Sequence, residues 1–340
     1  MDRVSFTRER YLVYVCDEIC GGWADRLKGI LSTYMMANLT KRQFKVQIKR
    51  PWCDLKNYLV PNKVNWTTAD NFTYEKNLTI KQTDTRFINM VHKRPYDLTG
   101  RTDQTNFYDT FREHIRHYFT RTNMDYISGM RNSCIYNQEL SWTHDVNIAD
   151  IYAALYKRLF KLAPRLETVL QNTLSENLPT PNHRLICVHV RLGHEAFDTD
   201  WAKRNSIENL PEVWRFIRNH SQSDFDKVFV MSDSEKVIDI ARNQSFGQRV
   251  FSIPGHIVHI DTFDLHRQST TRSCKGFQRL LLEHHMLMNC DVLMTSHSGL
   301  SNFASFIRGT DDGLFCLRDD GYIEPCERND LRHFANVRKH

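Results

Sequence analysis

A strand-like run in the second half of the chain ends abruptly in charged and flexible residues. Leu185 to Val190 is apolar except for His189, and Arg191, Gly193 and Glu195 follow. Such a run predicts a buried strand of a parallel sheet, and open α/β sheets bind ligands at the carboxyl ends of their strands. A guanidinium there offers five donors on a rigid fork, which suits phosphate oxygens. Arg191 is therefore a candidate phosphate ligand, and the alternative is a strand-end salt bridge.

Two further predicted strands also end in polar groups. Lys227 to Asp233 is a strand that closes on Ser232 and Asp233, and Asp233 is an acceptor suited to a guanine edge or a ribose hydroxyl. Asp291 to Thr295 is a strand that leads into a serine-rich turn and a helix. Backbone N–H groups, hydroxyls and the positive end of the helix dipole converge at such a turn. A single serine would be only an N-cap, but this turn predicts a metal-free phosphate cradle made of Ser296, Ser298, Gly299, Leu300 and Ser301.

A second candidate loop lies near the start of the chain. Tyr11 to Cys16 predicts a strand, and Gly21 and Gly22 precede a helix that runs from about Leu27 to Thr40. Paired glycines let the backbone approach a ligand at a helix N-terminus. The loop matches neither the dinucleotide-binding fingerprint nor the P-loop. The alternative is a tight turn in which Asp25 interacts favourably with the helix dipole.

Metal chemistry has weak support in the sequence. The triplets Asp198-Thr199-Asp200 and Asp224-Phe225-Asp226 could in principle hold a divalent cation on a diphosphate, but one or two such triplets are expected by chance. No Cys-x-x-Cys spacing occurs, so a zinc site is not indicated. We expect no metal to be required.

The elements that must position these residues alternate between strand and helix. The N-terminal strand, helix Leu27–Thr40 and strand Phe44–Ile48 form a βαβ unit, and strands alternate with helices again beyond residue 182. This alternation predicts an α/β fold with doubly wound parallel sheets. The Leu178-Pro179-Thr180-Pro181 segment predicts a boundary between a domain at residues 1–178 and a domain at residues 182–340.

The region between the two halves is less regular. Arg86 to His92 predicts a strand, Asn106 to Thr120 predicts a helix, and Ile148 to Leu162 predicts an amphipathic helix. Trp142 and several tyrosines could line an acceptor site, or they could be core aromatics, which is the commoner role.

Composition excludes several classes of function. The formal charge is +6, but lysine and arginine are dispersed along the chain, so nucleic-acid binding is not indicated. No run approaches the roughly 20 apolar residues of a membrane span, and the N-terminus lacks the apolar stretch of a signal peptide. Six N-x-Ser/Thr sequons and nine cysteines favour an oxidising secretory lumen over the cytoplasm. Cys316–Cys326 is the disulfide easiest to close, and Cys187 is expected to be a buried thiol.

Four of these stretches together resemble the GDP-fucose-dependent fucosyltransferases. Gly21 to Arg26 resembles the first loop of the protein O-fucosyltransferases and of the α1,2- and α1,6-enzymes. His189-Val190-Arg191-Leu192-Gly193 is similar to their His-x-Arg motif. Val228 to Ser234 resembles their strand ending in Asp, and Ser296 to Phe303 their serine-rich turn. The stretches occur in the family's order between Tyr11 and Arg308.

The resemblance implies a glycosyltransferase of the B type, in which two Rossmann-like domains face a cleft. It implies inverting, metal-independent transfer of fucose from GDP-fucose to a glycan or glycoprotein acceptor in the Golgi or endoplasmic reticulum. Residues 1–178 would face the acceptor and residues 182–340 would bind the donor. By motif position the donor would be bound by Gly21, Gly22, His189, Arg191, Asp233, Ser296, Ser298, Gly299, Leu300 and Ser301.

The catalytic candidates by this resemblance are Arg191, Asp25, Arg26 and Glu195. The family loop usually has Asn where this chain has Asp25, whose carboxylate could be the general base or could pair with Arg26. Asp198 and Asp200 are alternatives to Glu195 for an acidic base shortly after the His-x-Arg motif. Two other functions stay open, namely a B-type transferase that uses another nucleotide sugar and a non-catalytic relative that binds glycan or protein.

Overall fold

The computed structural model describes residues 9–68, 84–91, 106–193, 204–260, 270–318 and 320–331. The chain divides into two compact units. The first unit contains Met1–Ile148 with Leu155–Lys161, and the second contains Ala149–Ala154 with Leu162–His340. The expected domains at 1–178 and 182–340 stay a prediction, and the division between compact units lies earlier in the chain.

The first unit is built on a parallel sheet that continues the βαβ start predicted from the sequence. The elements are β1 (Tyr11–Cys16), α1 (Trp23–Leu39), β2 (Gln43–Ile48), β3 (Leu59–Pro61), β4 (Thr85–Asn89), α2 (Phe107–Thr110), β5 (His117–Arg121) and α3 (Ile127–Arg131). The four strands of the sheet pair in the order β2-β1-β5-β4, and β1 pairs with β2 and β5 in parallel.

The helix predicted over Asn106–Thr120 is wrong. The segment starts as a helix, because the Asn106 side chain accepts a hydrogen bond of 3.0 Å from the Tyr108 amide, but α2 ends after one turn. Residues 117–121 then form β5, which lies between β1 and β4 and is almost entirely buried. Pairing with two neighbouring strands overrides the local helical pattern, and that pairing cannot be read from the segment alone.

The second unit contains the larger sheet. The remaining described elements are α4 (Ile148–Leu159), β6 (Phe160–Leu162), α5 (Pro164–Asn177), β7 (Arg184–Val190), α6 (Leu210–His220), β8 (Asp226–Ser232), α7 (Glu235–Arg242), β9 (Val250–Phe251), α8 (Thr270–Leu287), β10 (Val292–Thr295), α9 (Gly299–Arg308), β11 (Leu314–Leu317) and β12 (Ile323–Pro325). The six strands of the larger sheet pair in the order β12-β11-β10-β7-β8-β9. The predicted doubly wound parallel sheet is confirmed, with β12 added antiparallel to β11 at one edge.

Strand β7 lies at the centre of this sheet and is buried on both faces. Ile186, Val188 and Val190 pack into the main apolar cluster of the unit. Because side chains alternate along a strand, Cys187 and His189 face the opposite side. Cys187 is bonded there to Cys290, so the expectation of a buried free thiol is wrong. The two cysteines are 103 residues apart, and sheet pairing of β7 with β10 brings them together.

Disulfides use eight of the nine cysteines, and Cys134 is free and exposed. The predicted Cys316–Cys326 pair is confirmed, and Cys16 is bonded to Cys20 directly after β1. Within the described ranges, no helix is both long enough and apolar enough to cross a membrane.

Candidate functional site

The three polar strand ends predicted from the sequence lie side by side in the second unit. Strands β10, β7 and β8 are neighbours and run parallel, so their carboxyl ends share one edge of the sheet. Arg191 follows β7, Asp233 follows β8, and Ser296 follows β10. This edge is called the donor edge below, after the donor-binding role that the sequence resemblance implies for these residues.

Asp233 holds the segment that carries Arg191. One carboxylate oxygen accepts the Leu192 amide at 2.9 Å and the other accepts the Gly193 amide at 2.9 Å. The same oxygen that accepts Gly193 also lies 3.2 Å from Nε of Arg191. The Asp233 side chain is 4% exposed, whereas that of Arg191 is 18% exposed. The Asp233 carboxylate therefore accepts hydrogen bonds mainly from backbone amides of this segment. The Arg191 guanidinium reaches solvent from a backbone that Asp233 holds in place.

The backbone on either side of Arg191 is held equally firmly. The Ser296 hydroxyl oxygen accepts the Arg191 amide at 3.2 Å, and the Ser232 hydroxyl donates to the Val190 carbonyl at 2.8 Å. Asn205 donates to the Arg191 carbonyl from both its backbone nitrogen, at 3.1 Å, and its side-chain nitrogen, at 3.0 Å. Asn205 is buried and was missed in the sequence, where it lies in a loop with no motif to mark it.

The N-terminus of α9 forms the other side of the donor edge. Ser298 occupies the N-cap position but makes no side-chain capping bond, and Ser298, Gly299 and Leu300 are partly exposed. Ser301 is fully buried, and its hydroxyl donates to the Ser298 carbonyl at 3.2 Å. A helix start without a capping side chain leaves backbone N–H groups and the positive dipole end available to an anion. The cradle thus consists of backbone amides, with the Ser301 hydroxyl turned inward.

His189 lies near the carboxyl end of β7, two residues before Arg191. It is almost completely buried, and within the described part of the chain its Nδ1 atom has no hydrogen-bond partner. Burial and, to a smaller extent, the neighbouring positive charge of Arg191 together lower the pKa of His189 to about 3. The imidazole is therefore neutral at physiological pH.

The Gly21–Asp25 loop lies at the carboxyl end of β1, in the first unit. Gly21 has φ +82°, and a Cβ atom there would lie 2.5 Å from a carboxylate oxygen of Asp25. Asp25 pairs with Lys28 at 2.8 Å, and its side chain is 40% exposed. Glycine at position 21 thus lets the Asp25 carboxylate fold back over the loop.

Arg26 is fully buried beneath that loop. Its Nε donates to the Gly21 carbonyl at 3.0 Å, and its Nη1 donates to the Arg50 carbonyl in the loop after β2. The guanidinium therefore joins two loops that leave neighbouring strands at the same edge. A pairing of Asp25 with Arg26 was one interpretation of the sequence, but the ion pair found for Asp25 is the one with Lys28.

Two further carboxylates at this edge were missed in the sequence. Asp17 and Glu18 directly follow β1, and both pair with the buried Arg121 at the end of β5, with Glu18 at 2.6 Å. The signal was the same as for Arg191, namely charged residues placed immediately after an apolar strand.

Glu195 and the Asp198-Thr199-Asp200 triplet fall outside the described residues. Asp226 lies at the amino end of β8, opposite the donor edge, where it accepts the Ser223 amide at 2.8 Å. Among the residues described, no group of three or more His, Cys, Asp and Glu side chains is arranged to hold a metal ion.

Comparison with known proteins gives a clear result at the level of structure. No protein-family model and no curated protein sequence matches the chain. FUT1 of Arabidopsis thaliana, solved as a mutant in complex with GDP, superposes with a TM-score of 0.61 at 14% identity, covering 94% of this chain and 71% of FUT1. The α-1,6-fucosyltransferase NodZ, soaked with GDP-fucose, gives a TM-score of 0.54 at 14% identity, covering 93% of this chain and 98% of NodZ.

The chain has the fold of these fucosyltransferases. NodZ from Bradyrhizobium without a named ligand gives the same TM-score of 0.54 at 15% identity. The fold expected from the sequence resemblance, α/β with two Rossmann-like parts of the glycosyltransferase B type, is confirmed.

Proposed function

We propose that the protein transfers fucose from GDP-fucose to a hydroxyl group of a glycan or protein acceptor, with inversion and without a metal ion. The observation that carries this proposal is the fixed Arg191 beside the open N-terminus of α9. The shared fold with two fucosyltransferases solved with GDP or GDP-fucose supports the choice of donor.

The donor diphosphate binds at the donor edge. Arg191 supplies a charged fork, and the first amides of α9 around Gly299 and Leu300 supply neutral donors. Each charge-assisted hydrogen bond contributes about 1.5–3 kcal/mol. His189 keeps a neutral imidazole with an unused nitrogen for the nucleoside. Asp233 serves chiefly to orient Arg191, since its oxygens already accept Leu192 and Gly193.

The chemical step is a displacement at the anomeric carbon. The acceptor oxygen attacks one face of the fucose ring while GDP leaves from the other, and negative charge grows on the β-phosphate. Arg191 is fixed before the reaction, so it stabilises that charge without reorganising. The acceptor proton passes to a carboxylate.

Asp25 and Glu195 are the first candidates for the general base, and Asp198 and Asp200 stay as alternatives to Glu195. Asp25→Asn and Glu195→Gln separate them, because loss of a general base lowers kcat by about 10²–10⁴-fold while GDP binding persists. The variant that shows this combination identifies the base. Arg26 acts as a positioning residue for the Gly21–Asp25 loop.

Calorimetric titration with GDP, GDP-fucose, UDP and ADP in EDTA tests the proposal first. We expect micromolar binding that is selective for GDP and its sugar. Preference for UDP or a requirement for Mn²⁺ would favour a transferase with another nucleotide sugar. Absence of binding to all four nucleotides would favour a non-catalytic glycan- or protein-binding role.

The secretory lumen is the proposed compartment. Eight cysteines in disulfides suit an oxidising environment. The four sequon asparagines within the described residues, Asn38, Asn65, Asn219 and Asn243, are all exposed, as glycan attachment requires. A mass shift on treatment with an N-glycosidase, after expression in a secretory host, tests this assignment.

A further inference from the structure

The loop after β2 displays a tryptophan from a well-anchored backbone. Trp52 is 56% exposed, whereas its neighbours Pro51 and Cys53 are both buried and Cys53 is disulfide-bonded. Large aromatic side chains usually contribute to the core, and tryptophan is enriched at interfaces because its ring combines an apolar body with a polar N–H group.

This loop is tied to the loop that carries Asp25. Strands β1 and β2 are parallel neighbours in register from Tyr11 and Gln43 to Cys16 and Ile48, so both loops leave the same edge of the sheet. The buried Arg26 donates to Gly21 in one loop and to Arg50 in the other. Trp52 and the half-exposed Asp25 are thus presented from one connected support.

The chemistry of this edge suits a sugar ring. One face of a β-linked pyranose is lined by C–H groups that pack on an aromatic ring, and its hydroxyls hydrogen-bond to carboxylates. Trp52 and Ile19 are the large apolar side chains that the two loops expose. The surface that two side chains can bury is far smaller than the roughly 800 Å² per partner of a stable protein interface. A carbohydrate is therefore favoured over a folded protein as the occupant.

We propose that Trp52 is the platform on which a carbohydrate acceptor stacks, with its reactive hydroxyl directed toward Asp25. The inference rests on the proposed function and assigns that function an acceptor class. Arg26 is a positioning residue for this subsite, because it fixes the backbone of both loops.

The binding test uses protein labelled with 5-fluorotryptophan, in which Trp52→Phe assigns the Trp52 signal. Lactose, chitotetraose and cellotetraose are the probes, titrated well above a Kd of about 1 mM, the weak range typical of a single stacking contact. We expect the Trp52 resonance to shift, while that of Trp142, also half-exposed, stays unchanged. Absence of a Trp52 shift with all three sugars, or a shift of Trp142 instead, overturns the proposal.

The kinetic test uses whichever probe shifts the Trp52 signal and accepts fucose. We expect Trp52→Ala to raise the acceptor KM about tenfold and to leave the KM for GDP-fucose within about twofold. Phe225→Ala, an equally exposed aromatic at the amino end of β8, is the control and should change neither KM. Equal effects of Trp52→Ala on both substrates, or unaltered acceptor KM, would contradict the stacking role.

GDP titration of the same labelled sample tests the Trp52 subsite and the proposed GDP-fucose donor separately. Binding of GDP without any sugar-induced shift refutes the Trp52 subsite and leaves the donor assignment intact. A sugar-induced shift without GDP binding refutes the fucosyltransferase proposal, and the subsite is then a glycan-binding site of a non-catalytic protein.

Discussion

The two larger sheets of the described structure carry functional candidates at their carboxyl edges, and the two edges differ in how firmly those candidates are held. At the donor edge the Asp233 side chain is 4% exposed and contacts Leu192, Gly193 and Arg191. At the edge of the first sheet the Asp25 side chain is 40% exposed and its ion pair is a single lysine on the same helix.

The difference matches two kinds of chemical task. A group that stabilises developing charge works best when it is fixed and partly desolvated before the reaction, because no reorganisation is then needed. A surface that receives a solvated acceptor must stay open until the acceptor arrives. Under the proposed function, the donor edge would therefore bind the nucleotide diphosphate, and the edge of the first sheet that carries Asp25 would receive the acceptor.

Arg191→Ala should have the largest effect. Loss of the fixed guanidinium removes about 3–4 kcal/mol of transition-state stabilisation, which lowers kcat by about 10²–10³-fold. Steady-state fucose transfer measures this, and Arg191→Lys should recover only part of the loss because it lacks the fork. Arg184→Ala, at the amino end of the same strand, is the control and should leave kcat unchanged. Near wild-type turnover of Arg191→Ala would refute the assignment of donor binding to this edge.

Asp233→Asn should have the next largest effect. We expect it to lower kcat/KM by an amount that corresponds to about 2–3 kcal/mol of lost transition-state stabilisation. The amide has one acceptor oxygen in place of two, so it cannot receive both backbone amides and Arg191. Asp226→Asn is a matched control, because Asp226 is equally buried at the other end of β8. Both variants should lose stability in urea, but only Asp233→Asn should lose activity. Equal kinetic losses would mean that the carboxylate only stabilises the fold.

His189 provides a test that does not depend on activity. Its pKa is lowered to about 3 from the ordinary 6.5, so between these values the unfolded chain binds a proton that the folded chain does not. Folded-state stability is therefore lost as pH falls below about 6.5. Between pH 7.5 and 5.0 the loss from this group is about 2 kcal/mol.

Urea unfolding at the two pH values measures that loss. His189→Gln should lose about 2 kcal/mol less on acidification than the parent protein. An unchanged acid sensitivity in His189→Gln would mean that the imidazole is not held neutral by burial.

The strand ends could be predicted because their signal is local. An apolar run followed directly by Arg191, Asp233 or Ser296 marks the carboxyl end of a buried strand, and parallel pairing then brings these residues to one edge. The helix start at Gly299 was predicted equally well, from glycine and from apolar periodicity, whereas α1 begins at Trp23, ahead of the start expected near Leu27.

The features that sequence reasoning missed depend on contacts between distant parts of the chain. Strand β5 was mistaken for a helix because its partners β1 and β4 lie elsewhere in the sequence. The bond from Cys187 to Cys290 and the double contact of Asn205 with Arg191 likewise require the folded sheet. Trp142 was expected more readily in the core, but half of its surface is exposed.

Gly21→Ala should have the smallest effect on activity, and it should disturb only the carboxyl edge of the first sheet, which carries Asp25. The left-handed backbone at φ +82° costs about 1–2 kcal/mol for a residue with a Cβ, and that atom would also displace Asp25. Gly22→Ala is the matched control, because a Cβ there meets no atom within 4 Å and should leave the free energy of unfolding nearly unchanged. We expect Gly21→Ala to lower kcat/KM for the acceptor while the Kd for GDP stays constant. A weaker GDP affinity in this variant would mean that the Gly21 loop also contacts the donor, and the division of tasks between the two edges would have to be abandoned.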